Sequence, residues 1–190
     1  MKDISLIGFM GCGKSSVGKI LATLLPECRL IDLDTYIEEK QGKNIPEIFN
    51  EYGEAAFRRM EREALEEIFS DKSRPRAILS LGGGTVTSEQ CRQLIRQHTD
   101  CFYLRATTDT LLDNLEGHSD GRPMLNPTQP VEAQSTETSS EREALRHRIE
   151  SLMQTRSPQY LATANHIIDI DGLSFAQIAE AVEANILNIK

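Results

Sequence analysis

Apolar residues along the chain form two kinds of pattern, short continuous runs and longer stretches with helical spacing. The short runs predict buried strands, and the helical stretches lie between them. The predicted strands cover residues 4–7, 29–34, 76–81, 101–104 and 166–170. Strands that alternate with helices are typical of a parallel sheet covered on both faces. We therefore predict an α/β fold with three layers, α/β/α, around a five-stranded parallel sheet.

The helical stretches are bounded by residues that start or stop helices. Helices are predicted over residues 17–25, 35–40, 45–52, 54–69, 89–98, 108–115, 141–153 and 174–189. Ser88 is a predicted N-cap, and Gly53 is predicted to interrupt the helical pattern around it. Pro158 is predicted to break or kink the helix that begins at residue 141.

Between residues 116 and 140 large apolar residues almost disappear. Gly, Pro, Ser, Thr, Gln, Asn and Glu dominate this stretch, which predicts a long mobile loop or lid. The whole chain of 190 residues is otherwise within the size of one domain. We therefore predict a single domain over residues 1–190, with a lid over roughly 116–140.

The first strand is followed by a glycine-rich loop and then by a helix. Residues 8–15 read Gly-Phe-Met-Gly-Cys-Gly-Lys-Ser, which is the G-x-x-x-x-G-K-[ST] pattern of a phosphate-binding P-loop. Its backbone N–H groups and the helix N-terminus can face one anionic group together. Nucleoside triphosphate binding is predicted for loop and helix-start residues, namely Gly8, Gly11, Cys12, Gly13, Lys14, Ser15 and Ser16.

Further polar and glycine residues follow the second and third predicted strands. Ligands of such sheets bind beyond the carboxyl ends of the strands, so these residues should meet the P-loop. Asp32 and Asp34 are two apart on a predicted strand and should point the same way, which suits Mg²⁺ binding, proton abstraction or contact with hydroxyls. Asp34 as a helix cap is the alternative. The residues 82–84, all glycine, suit close approach of backbone to a ligand, or else a permissive turn.

Three arginines are candidates for binding anions, but spacing alone does not select them. Arg58 shares a helix face with Glu61, as salt-bridged arginines commonly do. Arg122 in the predicted lid could swing over the phosphates or be an ordinary exposed side chain. Arg156 is predicted to end a helix, where a cation is favourable in its own right.

Composition narrows the classes of function. The formal net charge is −8, which argues against sequence-independent binding to nucleic acid. No apolar run approaches the ~20 residues of a membrane span, and no secretory leader precedes the first strand. Four scattered cysteines without a pairing motif indicate reduced thiols in a cytoplasmic protein.

In six separated stretches the sequence resembles the shikimate kinase family, in the order expected for that family. Besides residues 8–15 these are Ile-Asp-Leu-Asp-Thr-Tyr-Ile-Glu at 31–38, Ile-Phe-Asn-Glu-Tyr-Gly-Glu-Ala-Ala-Phe-Arg-Arg-Met-Glu at 48–61, Ser-Leu-Gly-Gly-Gly-Thr-Val at 80–86, Gly-Arg-Pro-Met-Leu at 121–125 and Arg-Ser-Pro-Gln-Tyr at 156–160. They span nearly the whole chain. The resemblance implies a P-loop kinase fold like that of nucleoside monophosphate kinases. It also implies ATP- and Mg²⁺-dependent phosphorylation of the 3-hydroxyl of shikimate, a step of chorismate and aromatic amino-acid biosynthesis.

The resemblance also implies a role for each matching residue. Asp34 would bind the shikimate hydroxyls and act as the base, and Arg58 and Arg156 would clamp the carboxylate. The catalytic group would be completed by Lys14 and by Arg122, which contacts ATP. Mg²⁺ would be held by Ser15 and Asp32, and the substrate pocket would be lined by Gly82, Gly83 and Gly84. The family further implies a monomer, while the charge and the lack of a long apolar run predict no nucleic-acid or membrane partner.

The sequence departs from the family at the adenine end of the site. The stretch 115–118 lacks a basic residue that the family often has there, and the loop 171–173 lacks an arginine. Two other functions are kept open, a P-loop kinase for another small metabolite such as gluconate, and a nucleotide-dependent regulatory module that phosphorylates no metabolite.

Overall fold

Five parallel strands form one sheet at the centre of the computed structural model, which describes residues 2–115 and 137–188. The strands are β1 (Asp3–Ile7), β2 (Arg29–Asp32), β3 (Ala77–Ser80), β4 (Thr99–Arg105) and β5 (His166–Asp169). Their order across the sheet is β2-β3-β1-β4-β5, and each neighbouring pair is parallel. The predicted five-stranded parallel sheet is confirmed.

Seven helices within the described residues accompany the sheet. They are α1 (Lys14–Leu24), α2 (Leu33–Gln41), α3 (Ile45–Ser70), α4 (Glu89–His98), α5 (Thr108–Leu115), α6 (Glu137–Thr163) and α7 (Phe175–Asn188). In those same residues, no helix combines the length and the apolar character needed to cross a membrane.

The two faces of the sheet belong to different apolar cores. Along β1, Ile4 and Leu6 point into one core, and Ile7 points into the other. The first core contains buried residues of α1 and α7, and the second contains buried residues of α2, α3 and α4. Because alternate residues of a strand face opposite sides, both cores share the same strands. The α/β/α layering is therefore confirmed.

The second strand is shorter than predicted, and this changes the setting of Asp34. β2 ends at Asp32, whose carboxylate caps α2 by accepting a hydrogen bond from the Thr35 backbone N–H. Asp34 therefore lies in the first turn of α2, where an acidic residue is favourable. The prediction that Asp32 and Asp34 share one strand face is wrong, because the capping preference of Asp32 starts the helix two residues early.

Of the break or kink predicted at Pro158, the break is not found. α6 runs without interruption from Glu137 to Thr163 and contains Pro158. Ile149, Arg156 and Tyr160 are buried along one face of this helix, and that packing outweighs the hydrogen bond that proline removes. Arg156 is thus an interior helix residue, and a favourable position at a helix end does not explain it.

Two other boundaries were predicted from glycine and from composition. Gly53 has the non-helical angles φ 76° and ψ 169° inside α3, so the predicted interruption is confirmed as a kink. Of the predicted lid, residues 137–140 form the first turn of α6. The rest of the predicted lid lies outside the described residues.

Candidate active site

The loop between β1 and α1 has the backbone geometry of an anion-binding turn. Gly8, Gly11 and Gly13 have φ angles of 147°, 85° and 84°, which side chains rarely adopt. At Gly8 an added Cβ would also lie 2.7 Å from the Leu104 carbonyl oxygen. Gly13 is the N-cap residue of α1, so the first N–H groups of the helix follow the glycines directly. Loop and helix thus offer backbone donors in one place.

Lys14 lies over this loop with its ammonium group buried. Its Nζ donates to the carbonyl oxygens of Gly8, at 2.8 Å, and Phe9, at 2.9 Å, and lies 3.6 Å from the Cys12 sulfur. The Cys12 side chain is itself fully buried, and it fills the space beneath the loop. The loop therefore holds a positive charge at the start of α1.

A cleft of about 390 Å³ opens beside the loop at the carboxyl ends of β1, β2 and β3. It joins segments that are far apart in the sequence, as the rule for parallel sheets requires. Its lining residues are Met10, Gly11, Gly13, Lys14, Ser15, Ser16, Asp32, Asp34, Ser80, Leu81, Gly82, Gly83, Asn114 and Phe175. The predicted meeting of the P-loop with the acids and the glycines is found in this cleft.

Oxygen atoms of three side chains converge at the end of the cleft next to α1. The Ser15 hydroxyl donates to Asp32 Oδ2 at 2.7 Å and lies 3.2 Å from the Ser80 hydroxyl. Such hard oxygen donors fit Mg²⁺, which binds through one or two protein oxygens, water and substrate phosphates. Across residues 2–115 and 137–188 no cluster of three His, Cys, Asp or Glu side chains forms a metal cage, so phosphate and water would have to complete such a site.

Asp34 has an unusual electrostatic setting for a carboxylic acid. Burial raises the pKa of Asp34 to about 7, and the negative charges of Glu61 and Asp32 add to this, while Lys14 and Arg58 oppose it. A carboxylate with a pKa near neutrality is suited to accept a proton at physiological pH. Asp34 thus combines a place in the cleft with a pKa raised toward neutrality.

Arg58 is fixed by two carboxylates on its own helix. Its guanidinium donates to Glu61 at 2.6 Å and to Glu54 at 3.1 Å. Glu61 is fully buried and also accepts from the Thr85 hydroxyl at 2.5 Å. Burial raises the pKa of Glu61, although Arg58 and Thr85 favour its charged form. This network holds the Arg58 guanidinium beside residues 82–84, the glycine segment.

The three glycines after β3 are closely surrounded by other groups. An added Cβ at Gly82 would lie 2.9 Å from Asp34 Oδ1 and 3.1 Å from Glu61 Oε1. A Cβ at Gly83 would lie 3.1 Å from the Met10 backbone nitrogen, and one at Gly84 would overlap the Arg58 guanidinium. A Cβ closer than 3.0 Å to another atom is essentially never seen, and one at 3.1 Å is tighter than most, so a side chain at any of the three positions requires its neighbour to move. The alternative of a merely permissive turn is therefore not supported.

Arg156 reaches the same glycine segment from α6. It is 3% exposed, and its Nη1 lies 3.5 Å from the Gly83 carbonyl oxygen. Its guanidinium also lies over the Phe9 ring, 5.9 Å from the centroid. Arg58 and Arg156 thus flank the backbone of residues 83 and 84.

Not every predicted site residue lines the cleft. The residues that do not line this cleft are Gly8, Cys12, Gly84, Arg58 and Arg156. Cys12 is fully buried, and Gly84 lies against the Arg58 guanidinium. Arg122 lies outside the described residues.

The structure adds residues that the sequence prediction missed. Glu61 and Tyr160 end two of the family-like stretches, but helical spacing explains both as ordinary packing. Asn114, which donates to the Gly11 carbonyl at 2.9 Å, and Phe175, which packs on Gly13, carry no sequence signal.

Comparisons with known proteins agree with this geometry. A family model described as shikimate kinase matches residues 10–186. A shikimate kinase of Chlorobaculum tepidum is 38% identical over 193 residues, which cover 98% of this chain and 94% of the relative. One of Sulfurihydrogenibium sp. is 36% identical over 96% of both chains. A solved structure, the shikimate kinase from Acinetobacter baumannii in complex with shikimate, superposes with a TM-score of 0.82 at 29% identity. That match covers 100% of this chain and 95% of the other.

Proposed function

This chain belongs to the shikimate kinase family, and from that premise we propose that it transfers the γ-phosphoryl group of ATP to the 3-hydroxyl of shikimate. The observation that carries the proposal is the position of Asp34. This candidate base lines the same cleft as the phosphate-binding loop and as Gly82 and Gly83 of the glycine segment. Donor and acceptor can therefore meet in one cavity.

The donor end of the cleft would bind the triphosphate. The N–H groups of the loop and of the start of α1 would hold the phosphates, and Lys14 would neutralise charge on the β- and γ-phosphates. Ser15 would hold Mg²⁺ directly and Asp32 through water. Bound Mg²⁺ supplies neutralisation of the charge that develops on the phosphate oxygens. Arg122 is proposed, from the family resemblance alone, to contact ATP and the transferring group.

The acceptor end would bind a small hydroxylated acid. Arg58 and Arg156 would bind its carboxylate, since a planar guanidinium forms paired hydrogen bonds with a carboxylate. Asp34 would hold the hydroxyls, with the backbone of residues 82–84 in contact with the ring. The fixed arginines would set the orientation of the substrate, which is the main source of catalysis in phosphoryl transfer.

The reaction step uses Asp34 as the proton acceptor. The 3-hydroxyl oxygen forms a bond to the γ-phosphorus while the bond between that phosphorus and the β,γ-bridging oxygen breaks. The hydroxyl proton passes to Asp34, and ADP leaves with the electron pair of the broken bond. Lys14 stabilises the charge on the leaving and transferring groups.

The test is a coupled assay of ADP release with purified protein, MgATP and a panel of acceptors. We expect release to depend on shikimate, and gluconate and water to support little of it. Shikimate-independent release, or preference for another acceptor, would overturn the proposal. Binding of ATP without phosphorylation of any acceptor would favour the regulatory module instead.

We also propose that the protein acts as a monomer in the cytoplasm, without nucleic-acid or membrane partners. The single sheet with both faces covered by its own helices supports the monomer, and the net charge of −8 supports the absence of nucleic acid. Light scattering of the purified chain tests the first point. Fractionation of the source cells tests the location.

A further inference from the structure

A tyrosine of α6 shares an acceptor with Arg156. The Tyr160 hydroxyl donates to the Gly83 carbonyl oxygen at 2.5 Å, and Arg156 Nη1 approaches the same oxygen at 3.5 Å. The two residues are four apart on one helix, so their side chains lie on the same face. The Gly83 carbonyl thus accepts a strong hydrogen bond from Tyr160, whereas its contact with Arg156 is only marginal.

Tyr160 is held in place independently of this hydrogen bond. Its side chain is fully buried, and its ring stacks on Tyr103 of β4 with centroids 4.9 Å apart and an angle of 24° between the planes. The stack fixes the Tyr160 ring, so its hydroxyl points at Gly83 before any ligand binds. No rotational freedom of this side chain is then lost when the ligand binds. The hydroxyl, unlike the ring, contributes little to the core.

Removal of the hydroxyl would leave the Gly83 carbonyl without its main partner. Leaving a partly buried carbonyl without this donor is costly, and Arg156 is the other side chain that approaches it. The guanidinium would then move onto the carbonyl and away from the position in which it can bind a ligand. Tyr160 therefore keeps Arg156 available by satisfying the carbonyl in its place.

We propose that Tyr160 is a positioning residue, which orients Arg156 and the Gly83 backbone for the carboxylate of the acceptor. This inference rests on the proposed function, because it assigns Arg156 to that carboxylate. It concerns shikimate binding, since the Tyr160 hydroxyl donates to Gly83, which is proposed to contact the acceptor.

The test compares Tyr160→Phe with the wild type in steady-state kinetics. We expect KM for shikimate to rise about tenfold, as for loss of one hydrogen bond near a charged group. KM for ATP should stay within about twofold, because the nucleotide contacts are unchanged. Tyr103→Phe is the matched control: it removes the same atom from the other ring of the stack and should leave both KM values within about twofold.

A double-mutant cycle with Arg156→Ala separates positioning from general stability. If Tyr160 acts through Arg156, Tyr160→Phe should raise KM for shikimate no further in the Arg156→Ala background. An equal rise in both backgrounds, or a parallel rise in KM for ATP, would overturn the inference. So would a Tyr160→Phe protein that is unfolded at the assay temperature, since Tyr160 would then be structural.

The activity of the wild type distinguishes failure of the proposed function from failure of the role of Tyr160. If the wild type does not phosphorylate shikimate, the proposed function fails, and the inference that depends on it fails as well. If the wild type is active and Tyr160→Phe has wild-type kinetics, only the role of Tyr160 fails. Calorimetric titration with shikimate gives the same comparison without turnover.

Discussion

Gly84 shows how one missing side chain places an arginine. Its backbone angles, φ −104° and ψ −6°, are open to alanine, but a Cβ there would overlap the guanidinium of Arg58. The flexible Arg58 side chain would give way rather than the backbone, and this would weaken its 2.6 Å contact with buried Glu61. We therefore expect Gly84→Ala to fold with a lower melting temperature and to raise KM for shikimate about tenfold or more, since Arg58 is displaced from the carboxylate. Steady-state kinetics and thermal unfolding measure the two effects.

Gly42→Ala is the control, because it should change stability without changing KM for shikimate. Gly42 has φ 64°, and an added Cβ would meet no atom within 4 Å. The substitution should lower the unfolding free energy by about 1 kcal/mol through backbone strain and leave KM unchanged. A Gly84→Ala enzyme with normal KM would show that shikimate binding does not depend on the position of Arg58.

Asp34 should make the ligand-free protein less stable at higher pH. Its folded pKa is raised to about 7, above the value near 3.9 of an unfolded chain. The folded state therefore holds its proton more tightly, and the resulting stability is full below pH 4 and is lost as pH rises toward 7. Asp34→Asn should exceed the wild type in unfolding free energy at pH 8 by on the order of 2 kcal/mol, with little difference at pH 4.

Denaturant unfolding in metal-free buffer at both pH values tests this expectation, and Asp71 provides the matched control. The Ser73 hydroxyl and N–H hold the pKa of Asp71 below its usual range. Its contribution is present above the unfolded pKa and is lost only as pH falls through the lower folded value, so Asp71→Asn should lower the unfolding free energy at pH 8 instead of raising it. If Asp34→Asn gained nothing at pH 8, the charged form of Asp34 would not be disfavoured, and its assignment as a base near neutrality would lose its physical support.

At the scale of elements, α6 is where local signals fail. A proline in a helix interior costs roughly 3 kcal/mol, and Pro158 is exposed on a helix whose other face is buried. Pro158→Ala should restore a backbone donor and raise the unfolding free energy by about 1–3 kcal/mol. KM for shikimate should not change, because Arg156 and Tyr160 keep their helix positions.

Ser151→Ala tests whether such a gain is specific to proline. Ser151 is exposed on the same helix, and alanine there should add no more than about 0.5 kcal/mol. Chemical denaturation of both variants makes the comparison. A less stable Pro158→Ala protein would mean that α6 needs the proline in order to pack correctly against the sheet.

Elements with their own start and stop signals were predicted well. Ser88 caps α4 as expected, α5 covers the predicted residues 108–115, and Gly53 kinks α3. Each depends on one residue and its immediate neighbours. β2 and α6 depend on competition instead: Asp32 prefers capping to extension, and burial of Tyr160 outweighs Pro158. Propensity alone does not give the result of such competition.

For the whole molecule, the sheet rule predicts most of the site. Asp32, Asp34 and the glycines follow parallel strands, so their meeting with the P-loop follows from topology. The burial of Glu61 and the hydroxyl contact of Tyr160 depend on how α3 and α6 pack, which no periodicity encodes. The sequence thus predicts the glycines and acids of the acceptor site. Only the structure shows which residues hold its arginines in place.

The shared sheet also predicts how the molecule unfolds. β1 gives Ile4 and Leu6 to one core and Ile7 to the other, so neither core can be lost while the other stays intact. We expect one cooperative transition, with equal calorimetric and van't Hoff enthalpies. For a monomer the midpoint should not depend on protein concentration, whereas a dimer would melt higher as concentration rises. Scanning calorimetry over a hundredfold range of concentration tests both expectations. Two resolved transitions would mean that the two faces of the sheet are separate cooperative units, contrary to a single domain.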